Sequence, residues 1–493
     1  MSDPIIRNES LHLAHSVSLN SAAVFASEIC SKLGAFAVTI FLVRQLGKES
    51  YGVLVFAFTY VEIFQVLANL GVNSITVREL SVLRGEALAE FWRNAHTLRW
   101  ALTCISAILA IVAAKAFYGE NPLTLSSLMW VSLCLLPEVR SVYSSVLTAN
   151  MKPSWSAGIN FVKTLLYAGF SFLFLQLGLG VVGVIQASFA ASVTAMVCER
   201  GLANKFIPQG GRFDLSRAKK ILSWSWPLAA SSLLTFIQLR LDIFMLKGFM
   251  NDAEVGSYGV AVRMIEGAFM MSSAVAVALY PVLSRSFTDD KLFWERLVKT
   301  SVNFLLILSI PFVAIMGPLS QPMITLLFGK NLNESAAIMN ILCFAVPLGY
   351  VNVLLANLLI IGRWQKLEFY ASVATTAANA VGNFILIPLL KGQGAALATV
   401  FCQVAALISL GAIFCYKSHF RWELSRVLKL CLIGLACWLL NVWLRNSVNW
   451  LLLGTALSVL FMFFAYRVTL DAKEKALAKK ILQKIILGYV EAS

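Results

Sequence analysis

The sequence predicts an all-α, polytopic membrane protein of about 14 transmembrane helices, built as two parallel six-helix repeats plus two C-terminal helices. Three observations predict it. First, the 493 residues are 59% hydrophobic and 13% charged, with a mean hydropathy of +0.78, whereas soluble domains carry about 25% charge. Second, three landmarks recur at a nearly constant offset. Ser50-Tyr51-Gly52 returns as Ser257-Tyr258-Gly259 at 207, Pro137 as Pro347 at 210, and Gly178-Leu179-Gly180 as Gly392-Gln393-Gly394 at 214. Third, basic residues alternate between crowded and sparse connections along the chain.

Helices are expected over 19–43, 51–77, 95–117, 123–149, 154–176, 180–199, 224–248, 254–283, 294–316, 334–361, 366–390, 394–416, 426–444 and 449–469. Each is close to the ~20 apolar residues that cross a ~30 Å hydrocarbon core. The first lacks the short core and small-residue cleavage site of a signal peptide, so it is expected to be retained. The first Ser-Tyr-Gly opens the second helix, and the second opens the eighth. Pro137 and Pro347 fall inside the fourth and tenth, where each removes a backbone hydrogen bond and should kink its helix. The Gly-x-Gly landmarks precede the sixth and twelfth helices.

Each repeat holds an even number of spans, so both copies enter the membrane in the same orientation, as in parallel-repeat transporters. The expected domains are 1–199 and 224–416 (the two bundles), a linker at 200–223, helices 13 and 14 within 417–470, and a tail at 471–493. The linker segment Phe213–Leu222 reads as a short basic amphipathic surface helix. The tail reads alike, with Leu477, Ile481 and Ile485 among five lysines, a surface drawn to anionic membrane lipid.

The N-terminal segment, the connections after even-numbered helices and the tail hold 28 of the 40 Lys and Arg residues. The connections after odd-numbered helices hold seven: Arg44, Lys48, Lys115, Lys247, Lys330, Lys391 and Arg445. By the positive-inside rule both termini are cytoplasmic, which requires an even number of spans. A net charge of +15 so distributed argues for a membrane surface rather than nucleic acid.

Five cations remain inside spans: Lys32, Arg140, Lys163, Arg240 and Arg263. Five acids accompany them: Glu28, Glu62, Glu138, Asp242 and Glu266. Each costs roughly 2.5–3.5 kcal/mol at a helix centre, so ten facing lipid would cost tens of kcal/mol. They must face protein or a water-filled cavity. Glu28 and Lys32 stand at i,i+4, and Arg263 and Glu266 at i,i+3, so each pair can meet on one face. Arg240 and Asp242 point apart and are expected to find partners on other helices. Such charges can be struts between helices. A set of five cations also suits an anion such as a phosphate or pyrophosphate, with Arg offering forked and Lys point-charge contacts.

No GxxxxGK[ST] or HExxH motif occurs, and His12, His15, His96 and His419 are scattered. The nine cysteines form no CxxC pair, so neither a structural disulfide nor a metal site is expected. The short loops argue against an enzyme. With no ATP site, a proton or sodium gradient is the expected drive, acting through Glu28, Glu62, Asp242 or Glu266. Glu62, with no basic residue three or four positions away, is the preferred proton carrier.

The run Phe41-Leu42-Val43-Arg44-Gln45-Leu46-Gly47-Lys48-Glu49-Ser50-Tyr51-Gly52, then Leu70-Gly71-Val72 and Val77-Arg78-Glu79-Leu80, resembles the opening of Wzx-type polysaccharide flippases. These belong to the multidrug/oligosaccharidyl-lipid/polysaccharide (MOP) exporter superfamily. The second half adds Leu241–Leu246, Glu254–Ala261, Tyr280–Ser284 and Gly394–Thr399, so the resemblance spans about residues 19–416. It implies a V-shaped pair of bundles around a central cavity that opens alternately to each side of the plasma (inner) membrane. It also implies a cargo, a polyprenyl-pyrophosphate-linked oligosaccharide repeat unit, with glycosyltransferases and a polysaccharide polymerase as partners. A multidrug or cation antiporter of the same superfamily is the second reading, disfavoured by five intramembrane cations. A lipid II flippase is a third, disfavoured because the Arg-rich first helix of that group is not reproduced.

Overall fold

A computed structural model describes residues 4–207, 209–420, 422–444 and 449–469. The expected amphipathic tail lies outside the described residues. No strand occurs among those described. In chain order the helices are α1 (Pro4–Asn69), α2 (Val72–Val82), α3 (Gly85–Tyr118), α4 (Pro122–Leu133), α5 (Arg140–Ala149), α6 (Pro153–Gln176), α7 (Gly180–Ala203) and α8 (Leu215–Phe249). Then come α9 (Asp252–Asp289), α10 (Lys291–Pro311), α11 (Ser320–Phe328), α12 (Asn333–Leu342), α13 (Ala345–Ile361), α14 (Gln365–Ser418), α15 (Leu424–Leu444) and α16 (Trp450–Thr469).

Among the described residues eleven helices are long and apolar enough to cross a membrane, against fourteen expected. Two of them are the runs Ala26–Val82 and Gln365–Ser418, of 57 and 54 residues. At ~1.5 Å per residue a straight rod of that length would exceed 80 Å, well beyond a ~30 Å core. Each run is interrupted where the sequence places a connection, at Gly47 (φ 73°, ψ 173°) and at Lys391 (φ 54°, ψ −132°). Leu452–Ala465, in the range of the expected last helix, is a shorter apolar helix.

The proline landmarks interrupt their helices in the same way. α4 ends at Leu133 and gives way to a 3-10 turn over Leu136–Val139 that contains Pro137, after which α5 resumes. α12 ends at Leu342, and α13 resumes at Ala345, two residues before Pro347. The missing N–H and the clash of the ring with the carbonyl four residues back account for both breaks.

The chain divides into two compact units, Met1–Arg240 and Leu241–Glu491. In the first, α1 packs on α3 and α6, and α6 packs on α7. One core patch joins Val72, Ile75, Trp92, Tyr143 and Leu147 to Ile221 of α8. The linker therefore differs from the separate surface helix expected at 213–222. Leu215 already starts α8, and Ala218 and Ile221 are buried at 3% exposure while Arg217 pairs with Glu90. Those apolar positions have a protein core to enter, so the segment continues into the crossing helix. This extension places the end of the first unit inside α8.

In the second unit α9 packs on α10, α12 and α13, and α13 packs on α14. A π turn over Phe312–Met316 follows α10. There the Asn441 side-chain amide of α15 donates to the carbonyls of Ala314 (3.1 Å) and Ile315 (3.4 Å). This fastens α15 to the bundle, and α16 packs on α15.

Candidate functional site

In the first unit the break at Pro137 sets Glu138 and Arg140 at the junction of the 3-10 turn and α5. Glu138 Oε1 accepts from Lys163 Nζ of α6 at 2.8 Å, and its Oε2 lies 3.7 Å from Arg140 Nε. Arg140 Nη1 reaches Glu199 Oε1 of α7 at 3.2 Å. The Glu199 side chain is fully buried, at 0% exposure. Two acids and two bases from four segments thus form a closed set. Charge pairing is what lets such groups stay largely buried, because an unmatched one would carry its whole desolvation cost.

Beside this set lies Arg99 of α3, 4% exposed, whose guanidinium donates to the Ala68 carbonyl and to Ser141 Oγ. Arg99 was expected among the cytoplasmic connection charges, and Glu199 was not singled out at all. Both lie within a turn or so of an expected helix end, where a sequence count assigns charges to water. Burial by α1, α5 and α6 decides otherwise.

The remaining sequence candidates fall into pairs. Arg240 of α8 forks onto Glu62 of α1, Nε to Oε2 at 2.7 Å and Nη2 to Oε1 at 3.3 Å. Glu62 is therefore not the isolated acid the sequence suggested. Its cation comes from 178 positions away and holds it as an ion pair, which removes the reason for preferring it as proton carrier. Asp242 accepts from the Tyr258 hydroxyl of the second Ser-Tyr-Gly landmark. Arg263 meets Glu266 at 2.7 Å, with side chains 44% and 37% exposed. Glu28 and Lys32 are exposed, and neither joins an ion pair with another described residue. Their one-turn spacing does not by itself bring them together.

No group of three or more metal-ligating side chains exists among the described residues. The arrangement can hold or exchange charge inside spans, and two guanidiniums, Arg240 and Arg263, remain partly accessible while paired, at 24% and 44%.

Residues 41–337 match the family model described as polysaccharide biosynthesis protein. The chain belongs to that family. Over 431 residues it is 22% identical to a Haloferax volcanii protein named "Probable low-salt glycan biosynthesis flippase", covering 81% of this chain and 89% of that one. Its fold matches the lipid II flippase MurJ in an inward closed conformation, with a TM-score of 0.75 at 16% identity over 91% of this chain and 99% of MurJ. It also matches an inward-facing multidrug resistance transporter of the MATE family, of the MOP superfamily. There the TM-score is 0.59 at 14% identity, over 79% of this chain and 95% of that one. The chain is thus a multi-pass membrane protein of the polysaccharide biosynthesis family with the fold of MOP-superfamily transporters.

Proposed function

We propose that this protein is a flippase. It moves a polyprenyl-pyrophosphate-linked oligosaccharide repeat unit from the cytoplasmic to the outer leaflet of the plasma membrane, by alternating access, for surface polysaccharide synthesis. The observation that carries the reading is the set of guanidiniums kept inside spans of a chain from this family. Arg240 and Arg263 are each held by a carboxylate yet partly accessible. Either can exchange that carboxylate for pyrophosphate oxygens, which match the same forked geometry. The MATE-like fold fits the antiporter reading as well, and that reading stays second because partly accessible guanidiniums suit an anionic cargo better than a cationic drug. Lipid II stays the less favoured cargo, because Lys32 stands where that group has arginines.

The topology proposed with it is fourteen crossings with both termini cytoplasmic, the breaks at Gly47 and Lys391 each separating two crossings. Labelling of single cysteines after residues 47, 120, 250 and 331 should report the outer side. Net transport needs a free-energy source, supplied by a proton or sodium gradient or by a polymerase that consumes the product. Glu28, Glu62, Asp242 and Glu266 are the coupling candidates, and the buried Glu199 joins them. Equal flipping in liposomes with and without each gradient would leave product consumption as the only drive.

The deciding experiment is export of the glycan by Arg240→Gln and Arg263→Gln variants, with protein level in the membrane measured alongside. Both should lose export while keeping near-normal protein. Normal export by both would reduce the arginines to struts and remove the basis of the reading.

A further inference from the structure

A second site lies in the first unit, on the faces of α6 and α7. α6 and α7 leave between them a groove of about 470 Å³, within the roughly 300–1,000 Å³ of ordinary ligand pockets. Trp155, Val162 and Leu166 line it from α6, and Ala195, Cys198 and Leu202 from α7. With Gly158 and Ile159 of α6 and Gly201 of α7, these positions recur at three- and four-residue spacing, so each helix gives one continuous face. Lys163 contributes only its stem, because its amine turns away to Glu138 at 2.8 Å.

Two glycines keep the groove open. A Cβ at Gly158 or Gly201 would meet nothing within 4 Å, and both residues line the space. From Trp155 to Leu166 the groove runs roughly 16 Å along α6. That is about half of a ~30 Å hydrocarbon core, the depth of one leaflet.

One end of the groove is basic. Lys152 Nζ sits 4.4 Å from the ring of Trp155 and 4.7 Å from that of Phe206, closing over the start of α6 and the end of α7. Exposed Lys205 is the next residue on the α7 side. On the charge pattern of the connections this end is cytoplasmic, where anionic lipid is concentrated. We infer that the groove binds one anionic glycerophospholipid of the cytoplasmic leaflet, with an acyl chain between α6 and α7 and its phosphate at Lys152 and Lys205. Basic pockets between membrane helices on the cytoplasmic side hold such headgroups, and the leaflet-deep apolar channel below supplies the place for the chain.

The test is lipid retention by the purified full-length protein in neutral detergent, read by native mass spectrometry with phosphatidylglycerol, phosphatidylcholine or a polyprenyl phosphate added. The parent should retain phosphatidylglycerol at least about fivefold over phosphatidylcholine. Lys152→Gln with Lys205→Gln should bring the two to parity. Gly158→Leu with Gly201→Leu, which fills the groove, should reduce retention of both. Gel filtration checks folding, and should the filled variant fail it, the lysine variant decides alone. Parity in the parent, or an unchanged preference in the lysine variant, would overturn the inference. Displacement of phosphatidylglycerol by polyprenyl phosphate would overturn it too, by giving the groove to the cargo's tail. None of these readouts depends on glycan export, so this inference fails separately from the flippase reading.

Discussion

The two units carry the same sequence landmarks and use them differently. Gly178-Leu179-Gly180 and Gly392-Gln393-Gly394 look like the same landmark in sequence, yet each glycine is needed for its own reason. In the first unit Gly178 and Gly180 have φ of +78° and +56° and open space around them. In the second, a Cβ on Gly394 would stand 2.1 Å from the Leu386 carbonyl, and one on Gly392 would stand 2.6 Å from Ile338 Cδ1. One pair supplies a left-handed turn, and the other a close approach. The charges divide more sharply still. Glu138 and Arg140 of the first unit correspond, at the proline offset, to Leu348 and Tyr350 of the second. There the Tyr350 hydroxyl donates to the Ala268 carbonyl at 2.5 Å and no charge is needed. The windows that correspond to Lys163 and Glu199, around 375 and 413, carry no charge either. Both units keep the helix break, while the linked set of Glu138, Arg140, Lys163 and Glu199 belongs to the first alone.

The largest effect that can break this contrast lies in that network. Arg140→Ala or Glu199→Ala leaves a buried charge unmatched and should cost about 3–5 kcal/mol, read as a lower unfolding midpoint of the solubilised protein. Arg140→Met combined with Glu199→Leu removes both charges and should recover most of the loss. Tyr350→Phe, at the matching place in the second unit, should cost only about 1 kcal/mol. Similar losses for Arg140→Ala and Tyr350→Phe would mean that the first unit's charges are not a closed set.

The glycine contrast comes next. Gly394→Ala should cost about 1–3 kcal/mol by overpacking, and Gly394→Asn no less. Gly180→Asn should cost less than about 1 kcal/mol, because Asn tolerates the left-handed region. Equal penalties for the two Asn variants would refute the division into turn and close approach.

Much of this was legible from sequence and some was not, for definable reasons. Apolar length marked the helical character, though Ala26–Val82 and Gln365–Ser418 each run through what the sequence divides, and prolines 137 and 347 marked breaks that do occur. Helical spacing could find Arg263 with Glu266, because both lie on one turn. It could not find Glu62 with Arg240 or Arg140 with Glu199, which are 178 and 59 positions apart and meet only after packing. Arg99 was hidden by its place near a basic helix end, although its guanidinium ties α3 to the Ala68 carbonyl and to Ser141. Arg99→Lys, with one compact ammonium in place of the fork, should lose about 1–2 kcal/mol. A variant as stable as the parent would return Arg99 to the class of surface charges.

The smallest stability effect separates structure from function most cleanly. Arg263 and Glu266 form an i,i+3 pair whose side chains are 44% and 37% exposed. Pairs of this kind contribute about 0.3–0.5 kcal/mol, because the charges are already solvated and the gain in pairing is small. Within a span, exposure of this size must be to water rather than lipid, or the pair would not be tolerated. Arg263→Gln should therefore shift the unfolding midpoint barely at all, while Arg140→Gln in the buried set shifts it strongly. If Arg263 holds cargo, the same variant loses export with its stability intact. A strut cannot give that combination, since it acts only through stability. A loss of export that follows the loss of folded protein, variant by variant across both units, would show that the exposed pair and the buried set do the same structural job.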